Sequence, residues 1–250
     1  MSRWLEGKVI ENRQWTGALF SLRVTLGTSA PPLAFEAGQF VRIALDLGGE
    51  RVARPFSFVN PPEDPVLEFY GVVVPGGPLS PQLARLAAGN ALLIADNPSG
   101  FLVLSEVPPA EDLWLVATGT GVAPFLSILR TGAPWQRYRR VILVHGTRHA
   151  AELVYHDMIQ AVGRAHGDRF ISIKFTTREK APDALEGRIP AAIRDGRLEA
   201  AGVPISPARS QFMLCGNPGM LKDVAAALAG RGLKKHRRRA PGQITVESFW

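Results

Sequence analysis

Leu113-Trp114-Leu115-Val116-Ala117-Thr118-Gly119-Thr120-Gly121-Val122-Ala123-Pro124-Phe125-Leu126 lies near the middle of a 250-residue chain, and its reading decides the fold. The bulky apolar run reads as a buried parallel strand, the Gly-Thr-Gly as a turn, and the residues after it as the apolar face of a helix. Gly119 and Gly121 have no Cβ, so backbone can approach a ligand closely there, and the free N–H groups and dipole of a helix start favour an anion such as phosphate. An ordinary strand-to-helix turn fits the same residues. Pro124 stands where the third glycine of a full dinucleotide fingerprint belongs, so the loop alone does not separate the two readings.

Beyond this stretch the apolar pattern keeps alternating. Strands are expected at 113–117, 141–145, 170–176, 211–215 and 243–249, with helices at 123–130, 151–164, 189–195 and 218–229. Such alternation predicts a doubly wound parallel sheet covered by helices on both faces, with its ligands at the carboxyl ends of the strands. Gly119–Gly121, Gly146-Thr147-Arg148, Thr177-Arg178-Glu179 and Gly216-Asn217-Pro218 all fall at such ends, where one crevice can collect them. Asn217 is a preferred helix N-cap, and Pro218 suits the first helical position. An NAD site places a carboxylate after the second strand, whereas the 2′-phosphate of NADP demands cations. Here the second strand runs into Arg148, the third into Arg178, and Arg188 follows ten residues later. Three solvated surface arginines remain the plainer alternative.

Before this stretch the chain changes character. Short strands are expected at 7–15, 18–25, 39–45, 52–58, 66–73 and 91–95, several alternating apolar with polar residues, which predicts a six-stranded antiparallel barrel. One helix is expected, at 78–88, with Ser80 as its cap and Pro81 in its first turn. Pro108-Pro109-Ala110-Glu111-Asp112 reads as a hinge, dividing the chain into 1–107 and 108–250. Within the first part, Arg54-Pro55-Phe56-Ser57-Phe58 offers a guanidinium fork for a pyrophosphate, an aromatic face for a flat heterocycle and a hydroxyl for a ring nitrogen. A surface arginine beside a core aromatic pair reads equally well.

Composition sets outer limits. The single cysteine, Cys215, rules out a disulfide framework or a cysteine-ligated cluster within the chain, so any metal redox centre belongs to a partner. The five histidines form no ligand set, and no metal is expected. No apolar run reaches the roughly 20 residues of a membrane span, and the start lacks an apolar signal core, so a cytoplasmic protein without membrane contact is expected. A net charge of +7 favours acidic or phosphorylated partners.

Five motifs in order carry a resemblance: Arg54-Pro55-Phe56-Ser57, Glu68-Phe69-Tyr70, Gly77-Pro78-Leu79-Ser80, Ala117-Thr118-Gly119-Thr120-Gly121-Val122-Ala123-Pro124 and Cys215-Gly216-Asn217-Pro218. Over essentially the whole chain this resembles the bacterial ferredoxin–NADP(+) reductases, and the ending is most similar to the enterobacterial type that stops at an aromatic pair. The resemblance implies an FAD in the barrel, held by Arg54, Pro55, Phe56, Ser57, Phe69, Tyr70, Val72, Gly77, Leu79, Ser80 and Thr120, with Phe249 shielding the flavin ring and Trp250 on the adenine. It implies NADP(H) on Gly119, Gly121, Thr147, Arg148, Arg178, Arg188, Gly216, Asn217 and Pro218. Hydride then passes between nicotinamide and flavin, with Ser57 near the flavin N5, Cys215 as a packing residue beside the nicotinamide, and Glu247 as a carboxylate able to relay protons. Phe249 would have to swing aside before transfer. Phe56 replaces the tyrosine usual in the family, which keeps the stacking face and drops one hydroxyl.

Lys234-Lys235-His236-Arg237-Arg238-Arg239 is most simply a solvated loop, yet beside a redox centre it can steer an acidic ferredoxin or flavodoxin. No aromatic residue interleaves the run, which argues against nucleic acid. The expected protein is therefore a monomeric ferredoxin/flavodoxin–NADP(+) reductase. A reductase component serving an oxygenase, and a non-enzymatic module using the basic run, are the alternatives.

Overall fold

The computed structural model describes residues 3–27 and 32–248. The chain forms, in order, β1 (Trp4–Gln14), β2 (Leu19–Leu26), β3 (Phe40–Leu47), β4 (Glu50–Ser57), β5 (Leu67–Val72), α1 (Ser80–Leu83) and β6 (Ala91–Ala95). These six strands make an antiparallel sheet in the order β4-β3-β6-β1-β2-β5. The sheet curls until its outer strands touch through an isolated bridge between Phe58 and Phe69, a half-barrel rather than a fully paired one. Inside it, Val9, Leu22, Ile43, Phe58, Phe69 and Ile94 form the core.

The rest of the chain runs β7 (Asp112–Thr118), α2 (Ala123–Leu129), α3 (Ala133–Arg137), β8 (Arg140–Thr147), α4 (His156–His166), β9 (Phe170–Thr176), β10 (Leu185–Glu186), α5 (Ile189–Arg194), α6 (Arg197–Ala201), β11 (Ser210–Gly216), α7 (Pro218–Ala229) and β12 (Ile244–Ser248). Its six strands are parallel, in the order β10-β9-β8-β7-β11-β12. Period-two alternation assigns each side chain of β7 to a face. Leu113, Leu115 and Ala117 join one apolar cluster, while Trp114 and Val116 join another with residues of α5 and α7. The first cluster also takes in Leu19, Val59, Tyr70 and Leu102, so a single core runs from the parallel sheet into the antiparallel one. Among the described residues no helix is long and apolar enough to cross a membrane.

Four local expectations change. The helix expected at 78–88 is only Ser80–Leu83, because the Asn12 amide donates to the carbonyls of Leu83, Ala84 and Leu86, which a longer helix would need for its own N–H groups. Ser80 does not cap it; its hydroxyl instead accepts from the Val74 amide at 2.9 Å. The helix expected at 151–164 starts only at His156, since Tyr155 takes a left-handed backbone with φ 62°. Two short helices, α3 and α6, and the two-residue strand β10 carry too few residues to show a period. Phe249 and Trp250 lie outside the described residues.

Loop and strand ends meet backbone to backbone where β7 and β11 deliver their turns. A Cβ on Gly121 would lie 2.6 Å from the Cys215 carbonyl oxygen and 2.7 Å from the Gly216 Cα. Neither contact is the end of a flexible side chain, so Gly121→Ala should push the two turns apart and destabilise the protein by about 1–3 kcal/mol; urea unfolding with an unchanged m-value is the measurement.

Candidate functional site

Two cavities open between the sheets. The first, about 320 Å³, is walled by Arg54, Pro55, Phe56 and Ser57 of β4, by Tyr70, Gly71 and Val72 of β5, by the turn from Val74 to Ser80, and by Thr120 and Ala123. β4 is an outermost strand in the sheet order, which leaves one of its edges to the cavity. Ser57 is buried, and its hydroxyl has no partner; the buried Tyr70 hydroxyl has none either. Unpartnered buried hydroxyls on a cavity wall are donors and acceptors waiting for a ligand. A Cβ at Gly71 would lie 2.9 Å from the Phe56 ring, so glycine there lets the ring lie down along the wall. Sequence reasoning missed Gly71, although a glycine inside a strand is itself a sign of close approach. Phe69, expected on this wall, faces the barrel core instead, because alternation along β5 turns Tyr70 and Val72 outward and Leu67 and Phe69 inward. Phe58 likewise is core, stacked on Phe35 at 3.8 Å.

The second cavity, about 580 Å³, lies at the carboxyl ends of the parallel strands and shares Val72 and Thr120 with the first. Gly119, Gly121, Thr147, Arg148, Arg188, Gly216 and Asn217 all line it. Gly119 has φ 53° and Gly216 φ 132°, left-handed conformations that a side chain would resist. The Asn217 side chain caps α7 by accepting from the amides of Gly219 (2.9 Å) and Met220 (3.2 Å), as its sequence position predicts. Its own amide donates to Thr118 Oγ1 at 3.1 Å.

Charged side chains on this cavity wall are Arg148, Glu152, Arg188 and Asp223. Arg148 donates to Glu152 through Nε at 3.1 Å and Nη2 at 2.8 Å, and its amide donates to the same carboxylate at 2.9 Å. Glu152 lines the cavity too, a carboxylate the sequence reading passed over. Arg178 is brought beside Arg148, with its amide donating to the Arg148 carbonyl at 3.0 Å, but it stands outside the cavity wall, exposed in the turn that follows β9. Pro218 also misses the wall, being turned back into the first turn of α7. Deeper down, His145 is buried, and burial lowers it to about 4, so it is neutral. Its Nε2 lies 2.9 Å from the Gly119 carbonyl, which can only accept, and the hydrogen bond therefore fixes both the tautomer and the loop.

Cys215 and Glu247 lie behind these walls. They are register partners on β11 and β12. The Cys215 thiol is fully buried and burial pushes it up, which makes it a packing residue and not a thiolate. Glu247 Oε1 accepts from the Phe101 amide at 3.3 Å, and its Oε2 is buried without a partner. Phe101, in the loop after β6, is an exposed aromatic with the Arg238 guanidinium 4.7 Å from its ring centre.

Burial raises the Glu247 carboxyl from 4.5 to about 7, against the smaller opposing effect of the Phe101 amide. The folded protein thus holds a proton that the unfolded chain has released, and the stability this gives is lost as pH rises from about 4.5 to about 7. Glu247→Gln stays neutral throughout. Its stability advantage over the wild type should grow across that window by about 1–3 kcal/mol and then level off; thermal unfolding of both proteins as a function of pH is the measurement.

With the geometry in view, similarity to known proteins can be placed on it. A family profile described as an oxidoreductase NAD-binding domain matches residues 115–226, the stretch that carries most of the second cavity. The flavodoxin/ferredoxin–NADP reductase of Shigella flexneri is 45% identical over 252 aligned residues, covering 100% of both chains. That of Escherichia coli (strain K12) is 44% identical with the same coverage. A crystal structure of a ferredoxin NADP+ reductase from Neisseria gonorrhoeae with bound FAD and NADP superposes with a TM-score of 0.93, at 32% identity and with 100% of both chains covered. By end-to-end identity, by shared architecture and by the two adjoining cavities, the chain belongs to the bacterial flavodoxin/ferredoxin–NADP reductase family.

Proposed function

We propose that this chain is an FAD-dependent oxidoreductase moving electrons between NADP(H) and a one-electron carrier, ferredoxin or flavodoxin. One observation carries the reading: the two cavities adjoin at Val72 and Thr120, so ligands held in each would come into contact there. When bound, FAD supplies the redox chemistry, exchanging a hydride with the nicotinamide and single electrons with the carrier. Residues 1–107 form the FAD-holding part and 108–250 the NADP(H)-holding part, with the tail returning to the flavin.

The wall residues suit these roles. Arg54 provides a fork for the pyrophosphate, Phe56 a stacking face, and the unpartnered Ser57 and Tyr70 hydroxyls supply hydrogen bonds to the ring system. The turn at Gly77, Leu79 and Ser80 offers the amides of Leu79 and Ser80, that of Gly77 being taken by the Val74 carbonyl at 2.9 Å. Gly119, Gly121 and Gly216 bring backbone close to the dinucleotide, Thr147 and Asn217 shape its bed, and Pro218 starts the helix behind it. Arg148, Arg178 and Arg188 select the 2′-phosphate, Arg148 after exchanging its Glu152 partner. Cys215 packs under the reacting rings, and Glu247, raised to about 7, exchanges a proton near them around neutral pH. Phe249 and Trp250, expected over the flavin and the adenine, lie outside the described residues. An end-to-end match with carrier reductases favours this reading over an oxygenase component.

The carrier is acidic and meets the face around Phe101. Arg238 lies over that ring and pairs with Glu106 at 2.7 Å, while Lys234, Lys235, Arg237 and Arg239 are exposed in the same segment of chain. Such a surface steers by charge and contacts by its aromatic.

Purified protein should be yellow, and NADPH should bleach it at far lower concentration than NADH; absorption titration decides it, and a protein that neither retains nor takes up FAD overturns the proposal. Arg188→Ala should raise the KM for NADPH about tenfold or more while that for NADH hardly moves, a charged hydrogen bond being worth roughly 1.5–3 kcal/mol. In steady-state assays, a tenfold rise in ionic strength, which shortens the screening length about threefold, should lower kcat/KM for the carrier by about tenfold.

A further inference from the structure

We infer that Tyr155 is a positioning residue that fixes the spacing between the two cavities. Among the described residues it is the single non-glycine with positive φ, at 62°. A bulky side chain holds that conformation only where its surroundings over-determine it. Those surroundings come from the other sheet. The Tyr155 ring, 5% exposed, packs 4.9 Å from Trp15 and edge-on to Tyr70 at 5.4 Å. Its phenol donates to Glu68 Oε1 at 2.9 Å. The other Glu68 oxygen faces the Arg130 guanidinium at 3.8 Å.

Position in the chain gives these contacts their consequence. Tyr155 ends the segment that starts at Arg148 and Glu152, both on the wall of the second cavity. Glu68 sits on β5, two and four residues before Tyr70 and Val72 on the wall of the first. One hydrogen bond and one ring therefore tie the arginine-bearing wall to the strand that carries the other cavity. Had Tyr155 simply continued α4 backward, its ring would follow the helix face and leave the half-buried Glu68 without its phenol partner. That cost, and not local propensity, explains why the helix starts late. The inference rests on the proposed FAD and NADP(H) sites for its effect on rate, but the tie between the sheets does not.

Tyr155→Phe keeps the ring and drops the phenol; Glu68→Gln keeps an acceptor for it; Glu68→Ala removes the acceptor without touching Tyr155. In flavin-free protein, Tyr155→Phe and Glu68→Ala should each raise amide hydrogen exchange over 67–72 and 153–158 by about tenfold, leaving the centre of the parallel sheet unchanged, while Glu68→Gln stays close to wild type. In flavin-loaded protein, flavin reduction at saturating NADPH should slow by about tenfold in Tyr155→Phe, with FAD retention and NADPH affinity within twofold of wild type. The Tyr155→Phe and Glu68→Ala losses should not add in the double variant. Wild-type exchange over both segments in Tyr155→Phe, additive losses, or a slower rate matched by equally weaker NADPH binding overturns the inference. A wild-type protein that takes up no FAD defeats the proposed function alone, and the exchange measurement then decides the tie by itself.

Discussion

A crevice that two sheets must both line is a break in packing, and it keeps its width only if something continuous runs beneath it. Here that is the apolar cluster in which Leu19 and Tyr70 of the antiparallel sheet and Leu102 of the loop after β6 meet Val122, Phe125 and Leu126 at and within α2. α2 lies at its centre. All seven of its residues are buried, a helix enclosed on every side because it packs on the parallel sheet with one face and on the half-barrel with the other. Polar contacts run alongside: Ser127 Oγ donates to the Asn60 carbonyl at 2.7 Å, and Arg130 reaches Asp64 at 3.4 Å. The loop Gly119-Thr120-Gly121 is the amino end of this same body, so whatever holds α2 also holds the floor of both cavities.

Burial sorts the titratable groups of the site into two kinds. His145, Cys215 and Glu247 are enclosed at or behind the strand ends, and burial favours the neutral form of each. They position and pack. Arg148, Arg178 and Arg188 stand in solvent at the outer rim, where an incoming dinucleotide first meets the protein. A neutral interior beside a cationic rim suits a ligand whose rings must be dry and whose phosphates must be neutralised.

Much of this was legible locally. β9 runs Phe170–Thr176 and α7 runs Pro218–Ala229, the limits that apolar period, cap and proline indicate. Most residues singled out for the site do line it, because strand carboxyl ends follow from the alternation of elements alone. What escaped was whatever depends on a distant partner. Phe69 and Tyr70 are adjacent aromatics, and only the pairing of β5 with β2 decides which one faces the cavity. The late start of α4 follows from Glu68, far away in sequence, and the early end of α1 from Asn12.

The amino-acid sequence by itself thus determined two architectures, their order, and the chemistry available at each strand end, since period, capping and turn residues act over a few positions. Tertiary structure alone decided that two cavities share a wall, that Arg148 is held by Glu152, and that Tyr155 is bent out of a helix to reach the other sheet. Each of these depends on groups brought together across long stretches of chain, where local propensity carries no information and packing settles the outcome.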